Sequence, residues 1–245
     1  DYPVTLTVIN AAGSDSITKT SYIHVAPNFS QYHGLAVENF EGSSSYYWNW
    51  FTFNYDNNPH SWQLSNATGY SGNHSFAMNA FGNYANDVDA FITPKFDLTY
   101  LTGGQFTFKV AAATAGLTAT DVNDVLKVYT SIDCGATWSL KLTMSGSGTA
   151  VTNLINNGNY SSYFVPTSSS QWTQHQFTIP VSLAHDNIKF KFEYTTGNAS
   201  NNIYIDDINI TGTMGVNENS FDANSVNIFP NPTNQSATIA YHLDK

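Results

Sequence analysis

Residues 203–210 read IYIDDINI, and this stretch decides the fold that the sequence predicts. Isoleucines recur along it, and turn-forming residues bound it, NN at 201–202 before and Gly212 after. This pattern is typical of a β-strand that is buried on at least one face. Because successive side chains of a strand point to opposite faces, the adjacent carboxylates Asp206 and Asp207 point in opposite directions. At least one of them must therefore point to the side that the isoleucines bury.

A carboxylate inside an apolar strand has two physical interpretations. A buried, unpaired carboxylate destabilises a fold by several kcal/mol unless a cation or hydrogen-bond donors compensate it. Calcium prefers hard oxygen ligands, and we favour a structural Ca²⁺ bound by Asp206, alone or with Asp207. The other interpretation is an edge strand in which a β-bulge turns both carboxylates into water. The sequence leaves both open.

The composition predicts an almost all-β protein. Among 245 residues, aromatic residues make up 15% and charged residues only 11%. Aromatic and β-branched residues favour strands, whereas helices favour Ala, Leu, Glu and Lys. No stretch shows sustained helical periodicity, and further strands are predicted at 105–112, 125–131, 172–180 and 188–195. Strands that turn-rich loops separate, with no helices between them, predict two packed sheets.

The charge balance and the cysteine content limit the partners and the compartment. Eight Lys and Arg against 18 Asp and Glu give a formal net charge of −10, which argues against nucleic acid as a partner. Low charge density and abundant Asn, Ser, Thr and Tyr are typical of an extracellular surface. The single Cys134 cannot form an internal disulfide, and no apolar segment is long enough to predict a membrane span. Because the chain opens inside a strand pattern at Asp1, we expect it to be a fragment of a longer precursor.

An aromatic run, YYWNWFTFNY at 46–55, precedes another large ring at Trp62. Rings at nearly every position of a strand cover both of its faces, so we expect them to fill the core between two sheets. The alternative is that some of these rings stay exposed and stack on sugar faces. Trp48, Trp50 and Trp62 are the candidate ligand-binding residues of that alternative.

The sequence contains no recognisable catalytic constellation. Zinc proteolysis needs two His one helical turn apart with a Glu between them, and none of the seven His has that spacing. GYSG at 69–72 lacks the glycine spacing of a nucleophile elbow, and Cys134 has no evident activating partner. We therefore predict that the chain is not an enzyme. Asp121 and Asp124 form a second oxygen-rich segment, which we interpret as a solvated loop.

The first residues carry a resemblance to a known family. YPVTLTV at 2–8, followed by NAAGS at 10–14, resembles the last strands of a PKD-type immunoglobulin-like domain. Residues 1–27 are accordingly interpreted as the C-terminal part of such a domain. A lone hairpin is marginally stable in water, so this segment is expected to be one part of a larger β unit.

Four motifs within residues 35–213 carry a second resemblance: NFEG at 39–42, ITP at 92–94, the segment 124–138, and IDDI at 205–208. In this order they resemble the MAM-like jelly rolls of the cleaved-adhesin and choice-of-anchor J type. The resemblance implies an all-β, two-sheet jelly-roll sandwich with partial immunoglobulin-like β units beside it. It also implies a non-catalytic extracellular module that binds a carbohydrate or a protein. Because such modules also follow secreted metallopeptidases of the pappalysin or cytophagalysin type, an accessory region of a zinc metallopeptidase is the alternative.

The same resemblance implies the positions of calcium ligands. Relatives with sugar-binding jelly-roll folds often carry a structural Ca²⁺ between an early Glu and a late Asp. Carried over residue by residue, this ligand pair is Glu41 and Asp206, with Glu38 and Asp207 as further candidates.

The end of the chain carries the sharpest signature. Residues 214–224 have the loose composition of a linker, and residues 225–245 begin a new β unit that contains FPNP at 229–232. This signature resembles the start of the C-terminal sorting domain of type IX secretion cargo, although an ordinary proline-constrained turn would have the same sequence. The resemblance implies the type IX secretion machinery as a partner. It further implies a secreted or surface-attached protein of a Gram-negative, Bacteroidetes-type bacterium.

Overall fold

The computed structural model describes residues 2–23, 25, 29–42, 49–56, 58–82, 85–118, 120–146, 152–215, 226–229, 236 and 238–241. Residue contacts divide the chain into two compact units, Asp1–Met214 and Gly215–Lys245. The strands of the first unit are β1 (Tyr2–Asn10), β2 (Gly13–Ile23), β3 (Tyr32–His33), β4 (Ala36–Glu38), β5 (Phe51–Asn54), β6 (Trp62–Ser65), β7 (Ser75–Met78), β8 (Val88–Ile92), β9 (Phe96–Asp97), β10 (Leu101–Thr114), β11 (Val125–Ser131), β12 (Ser139–Ser145), β13 (Thr173–Ile179), β14 (Lys189–Thr195) and β15 (Ser200–Met214). Short 3-10 turns are described at Ser169–Gln171 and Val181–Leu183. In the part of the chain given above, no helix has the length and apolar character to cross a membrane.

Two antiparallel sheets of the first unit share one hydrophobic core. One sheet has the strand order β13-β10-β15-β7-β6, with β4 also paired to β15, and the other has the order β12-β11-β14-β8-β5. Aromatic rings from both sheets meet between them; Phe106 of β10 and Phe190 of β14, for example, have centroids 4.1 Å apart. The architecture confirms the predicted all-β, two-sheet jelly-roll sandwich.

Strand β15 is central in its sheet and changes partners halfway along one side. One side pairs with β10, while the other pairs with β7 over residues 203–205 and with β4 over residues 208–210. The register with β10 shifts at this point, and Asp207 has a positive φ of 47°. A β-bulge therefore lies at the two carboxylates, as one interpretation of the sequence expected. That interpretation is wrong in its other part, because β15 is not an edge strand and Asp206 is fully buried.

Trp50 and Trp62 are core residues. Trp50 is 6% exposed and Trp62 is 2% exposed, and both rings pack against Phe91. Neither ring can offer a face to a sugar, so the alternative that they bind ligand is wrong for these two residues. Trp48 lies outside the described residues.

A hairpin forms the N-terminal part of the first unit. Strands β1 and β2 pair antiparallel around a two-residue turn at 11–12, and Asn10 Oδ1 accepts from the Ala12 N–H at 2.8 Å. Every residue of β1 is exposed. The hairpin agrees with two predicted strands, while its assignment to a PKD-type domain stays a prediction.

The second unit contains one short hairpin, in which β16 (Val226–Phe229) pairs antiparallel with β17 (Thr238–Tyr241). The last three residues of the FPNP signature, 230–232, lie outside the described residues. The sorting-domain assignment therefore stays a prediction.

Candidate functional site

The buried carboxylate of Asp206 is hydrogen-bonded by the loop that precedes β7. Asp206 Oδ2 accepts from the backbone N–H groups of Tyr70 at 2.6 Å and Ser71 at 3.2 Å. Its Oδ1 accepts from the Asp207 N–H at 2.7 Å, and the Ser71 hydroxyl donates to Asp207 Oδ1. Burial raises the pKa of Asp206 to about 7, although these donors oppose the shift.

Glu41 binds the other end of the same loop. Its Oε1 accepts from the N–H groups of Asn73 and His74, each at 2.7 Å, and its Oε2 lies 2.8 Å from His74 Nδ1. Desolvation opposes ionisation of Glu41, but the hydrogen bonds from His74 and Asn73 outweigh it and lower the Glu41 pKa. Gly72 has a φ of 82°, and a Cβ at this position would lie 2.4 Å from the Glu41 carboxylate. Glycine is therefore required where the loop passes the glutamate.

The structure brings three of the four predicted calcium ligands to this loop and leaves one out. Glu38 is buried elsewhere, where its oxygens accept from the Phe40 N–H at 2.6 Å and from the Tyr32 hydroxyl. Over the described residues, no group of three or more His, Cys, Asp or Glu side chains is arranged as a metal centre. The hydrogen bonds to Asp206 and Glu41 explain how the fold tolerates these charges, and they do not by themselves require an ion.

The segment at 121–124 contradicts the solvated loop expected from the sequence. Asp124 is fully buried, and its Oδ1 accepts from the Tyr194 hydroxyl at 2.5 Å, from the Gly197 N–H at 3.3 Å and from the Ser200 hydroxyl. Only Asp121 behaves as expected, in a surface turn where it accepts from the Thr118 hydroxyl at 2.7 Å. Asp124 is buried because it is the last residue before β11, directly beside the core.

A groove lies on the outer face of the sheet that contains β15. Ile203 and Ile205 belong to the main core, so the intervening Tyr204 faces away from it, and Ala77 and Gln63 lie in register with Tyr204 on the next two strands. The groove is lined by Gln63, Ser65, Ala77, Met78, Asn79, Tyr163, Val165, Asn202 and Tyr204.

The segment that carries Tyr163 is fixed across this face by a second, smaller core. That core contains Ala77, Ala111, Ala113, Phe164, Trp172 and Tyr204. The Tyr204 hydroxyl donates to the Phe164 carbonyl at 2.9 Å, and Asn202 Nδ2 donates to the same oxygen at 3.2 Å. These bonds hold the backbone next to Tyr163, whose ring is 61% exposed and packs on Phe81 with centroids 4.9 Å apart. An exposed aromatic ring therefore stands beside a row of amide side chains.

The chain matches no family model and no curated protein. Among solved structures it is similar to the K1 cleaved adhesin domain of Lys-gingipain from Porphyromonas gingivalis W83, with a TM-score of 0.49 and 20% identity over 73% of this chain and 98% of that one. It is similar to a carbohydrate-binding module of the β-sandwich superfamily, with a TM-score of 0.46 and 14% identity over 86% of this chain and 73% of that one. A third similar structure is the family 22 carbohydrate-binding module of Clostridium thermocellum Xyn10B, with a TM-score of 0.38 and 17% identity over 74% of this chain and 95% of that one.

Proposed function

We propose that the chain is a non-catalytic extracellular binding module and that the groove on the outer face of β6, β7 and β15 binds a polysaccharide. The observation that carries this proposal is the exposed ring of Tyr163 beside the amides of Gln63, Asn79 and Asn202. Sugar rings have apolar faces that stack on aromatic side chains, while their hydroxyls donate to and accept from amide groups. A groove open along a sheet suits an extended chain better than a small molecule.

Two unsatisfied acceptors in the groove wall support a ligand rich in hydroxyls. Asn79 Oδ1 and Asn202 Oδ1 accept no hydrogen bond from any residue that the structure describes. Asn202 uses its Nδ2 group on the Phe164 carbonyl, so its orientation is fixed and its oxygen is left for another donor. Both oxygens are covered in the free protein, so a ligand hydroxyl would reach them only after neighbouring groups move, and the hydrogen bond formed would then remove the cost of an unpaired buried acceptor.

Affinity electrophoresis followed by calorimetry tests this function. The full chain is screened against soluble polysaccharides including xylan, β-1,4-galactan and β-glucan, and Tyr163→Ala is compared with Tyr100→Ala. Tyr100 is 45% exposed and does not line the groove, so it is a matched control. We expect Tyr163→Ala to weaken binding about tenfold or more, equivalent to about 1.4 kcal/mol, and Tyr100→Ala to bind like the wild type. Equal affinities of the two variants, or no retention on any polysaccharide, would overturn the proposal.

Calcium at the loop 69–74 is the second part of this proposal. A carboxylate has about four lone-pair sites, and the three hydrogen bonds to Asp206 leave one for an ion. Glu41 and Asp207 bind the same loop and are the further oxygen ligands of this proposal. Since the described carboxylates are not arranged as a metal centre, the ion would have to draw Glu41 and Asp207 towards Asp206. Chelation should then lower the melting temperature of the wild type and leave that of Asp206→Asn unchanged. Identical responses of the two proteins to chelator would rule this ligand out.

The parent protein is the third part. A secreted or surface-attached bacterial protein, with a PKD-type segment before the sandwich and a type IX sorting signal after it, would give an extracellular binding module its usual setting. A zinc-peptidase motif in the residues that precede Asp1 in the gene would instead favour the accessory region of a metallopeptidase.

A further inference from the structure

The carboxylate of Asp89 is buried without a hydrogen bond, away from the groove and from the loop 69–74. Asp89 lies in β8 and has no exposed surface. Neither of its carboxylate oxygens accepts a hydrogen bond from the residues that the structure describes. An ionised carboxylate cannot be kept in such a place without compensation, so a proton or a cation must accompany it.

The donors around Asp89 are committed to other acceptors. Tyr194, its partner on β14, gives its hydroxyl hydrogen to Asp124. The Trp62 indole donates at 3.3 Å to the backbone carbonyl of Asp89, not to its side chain. Asn54, its partner on β5, donates through Nδ2 to the carbonyls of residues 58 and 60 at 2.7 and 2.8 Å. Asn54 Oδ1 is consequently a second buried oxygen with no donor among the described residues.

Two more carboxyl groups lie beside this pair of acceptors. The first is Asp87, which precedes Asp89 by two residues and so lies on the same face of the chain. The second is Asp56, which Asn58 joins to Asp87, because Asn58 Nδ2 donates to both Asp87 Oδ2 and Asp56 Oδ2 at 2.7 Å. Burial and a hydrogen bond shared with Asp56 raise the pKa of Asp87. Burial, with repulsion from Asp87 and Asp56, raises the pKa of Asp89 to about 7. The imidazole of His60 opposes this rise and acts to lower the pKa of Asp87. Carboxyl groups, and side-chain oxygens with no donor among the described residues, are thus concentrated at the N-terminal end of β8.

The geometry points to a binding site for a hard divalent cation of the calcium type, formed by Asp89, Asp87 and the side-chain oxygen of Asn54. Ca²⁺ binds carboxylate and amide oxygens together and fills the rest of its coordination sphere with backbone carbonyls or water. A proton on Asp89 would neutralise that residue alone, whereas a divalent cation also satisfies Asn54 Oδ1 and offsets the charge of Asp87. This site combines two carboxylates with a neutral amide oxygen, whereas the calcium site proposed at the loop 69–74 consists of carboxylates alone.

Calcium titration of the full chain in an Asp206→Asn background tests this site, because that substitution removes the ligand proposed for the loop. We expect the Asp206→Asn protein to bind Ca²⁺ by calorimetry and to melt several degrees higher at a hundredfold excess of calcium over Kd. Adding Asp89→Asn should weaken binding by more than tenfold and abolish the shift, while leaving the calcium-free protein at least as stable, since a buried charge is removed. Adding Asp186→Asn, an exposed aspartate elsewhere, should preserve the full response.

Two outcomes would overturn the proposal. Either Asp206→Asn fails to bind calcium, in which case a proton neutralises Asp89, or Asp206/Asp89→Asn responds to calcium like its parent. If Asp89→Asn does not fold, Tb³⁺ decides with the Asp206→Asn protein alone. A terbium ion at this site lies close to the Trp62 indole, so excitation of tryptophan should sensitise its emission and Ca²⁺ should quench it. No sensitised emission, or emission that calcium leaves unchanged, would equally exclude the site.

Discussion

Replacing Tyr194 by Phe removes one hydroxyl from the interior of the sandwich and tests how the fold stabilises the buried Asp124. The hydroxyl donates to Asp124 Oδ1 at 2.5 Å, and neither residue has any exposed surface. A hydrogen bond to a charged group contributes about 1.5–3 kcal/mol, more than a neutral one. Since ~1 kcal/mol shifts the melting temperature of a domain of this size by ~2–4 °C, the variant should melt about 3–12 °C below the wild type.

The same substitution on the neighbouring strand is the control. Tyr129 of β11 donates to Glu193 Oε1 at 3.1 Å from a half-buried position where water can replace the lost partner. Tyr129→Phe should therefore cost less than about 1 kcal/mol. Thermal and urea unfolding of both variants, followed by circular dichroism, measures the two losses. Equal losses would refute the reasoning, because they would mean that burial does not decide the strength of the Tyr194 bond.

Two further predictions concern local backbone and charge. Gly72→Ala should destabilise the fold by about 1–3 kcal/mol, because φ is positive at this position and the added Cβ would meet Glu41. Gly158 also has a positive φ but has open space around its Cβ, so Gly158→Ala should destabilise the fold less. Equal losses of the two variants in urea unfolding would contradict this. Hydrogen bonds from Thr137 hold the pKa of Asp133 at about 2, so its stabilising effect should be complete above its unfolded pKa and be lost as the pH falls through the folded one. The stability difference between wild type and Asp133→Ala should thus shrink between pH 5 and pH 2, and a difference that is constant over this range would disprove the assignment.

Alternation of β-branched and aromatic residues was sufficient to predict five strands of the two sheets, β10, β11, β13, β14 and β15. The strand expected at 125–131 is β11 as the structure has it, and the strand expected at 203–210 is the middle of β15. These strands are predictable because one face of each is buried, which imposes a period of two on the sequence. The core positions of Trp50 and Trp62 agree with a different expectation, that the rings of the aromatic run and Trp62 fill the space between the sheets, but Phe53 and Tyr55 of the same run are exposed.

Local patterns did not predict what distant segments provide. Asp124 was expected in water because its segment lacks the glycine and the terminal glutamate of a calcium-binding loop, yet Tyr194 and Ser200, more than sixty residues later, bury it. The groove has the same character, since its ring comes from Tyr163 and its amides from β6, from β15 and from the residue that follows β7. The sequence did contain one indication of the groove, the two asparagines at 201–202 at the start of an otherwise apolar strand. Only the pairing register of the strands shows that Asn202 lies beside the other residues of the groove.

The order in which the strands join the two sheets has a consequence for folding. β14 is a central strand of one sheet and β15 of the other, and these are the last two strands of the sandwich in the chain. Until they are available, no strand lies between β8 and β11 in one sheet, and none lies between β7 and β10 in the other. Pairings that span so much sequence are slow to form, and the waiting strands expose unpaired edges. A nascent chain that ends before residue 189 would consist of hairpins and open edges without a closed core, so the last two strands of the sandwich control whether the earlier strands fold or aggregate.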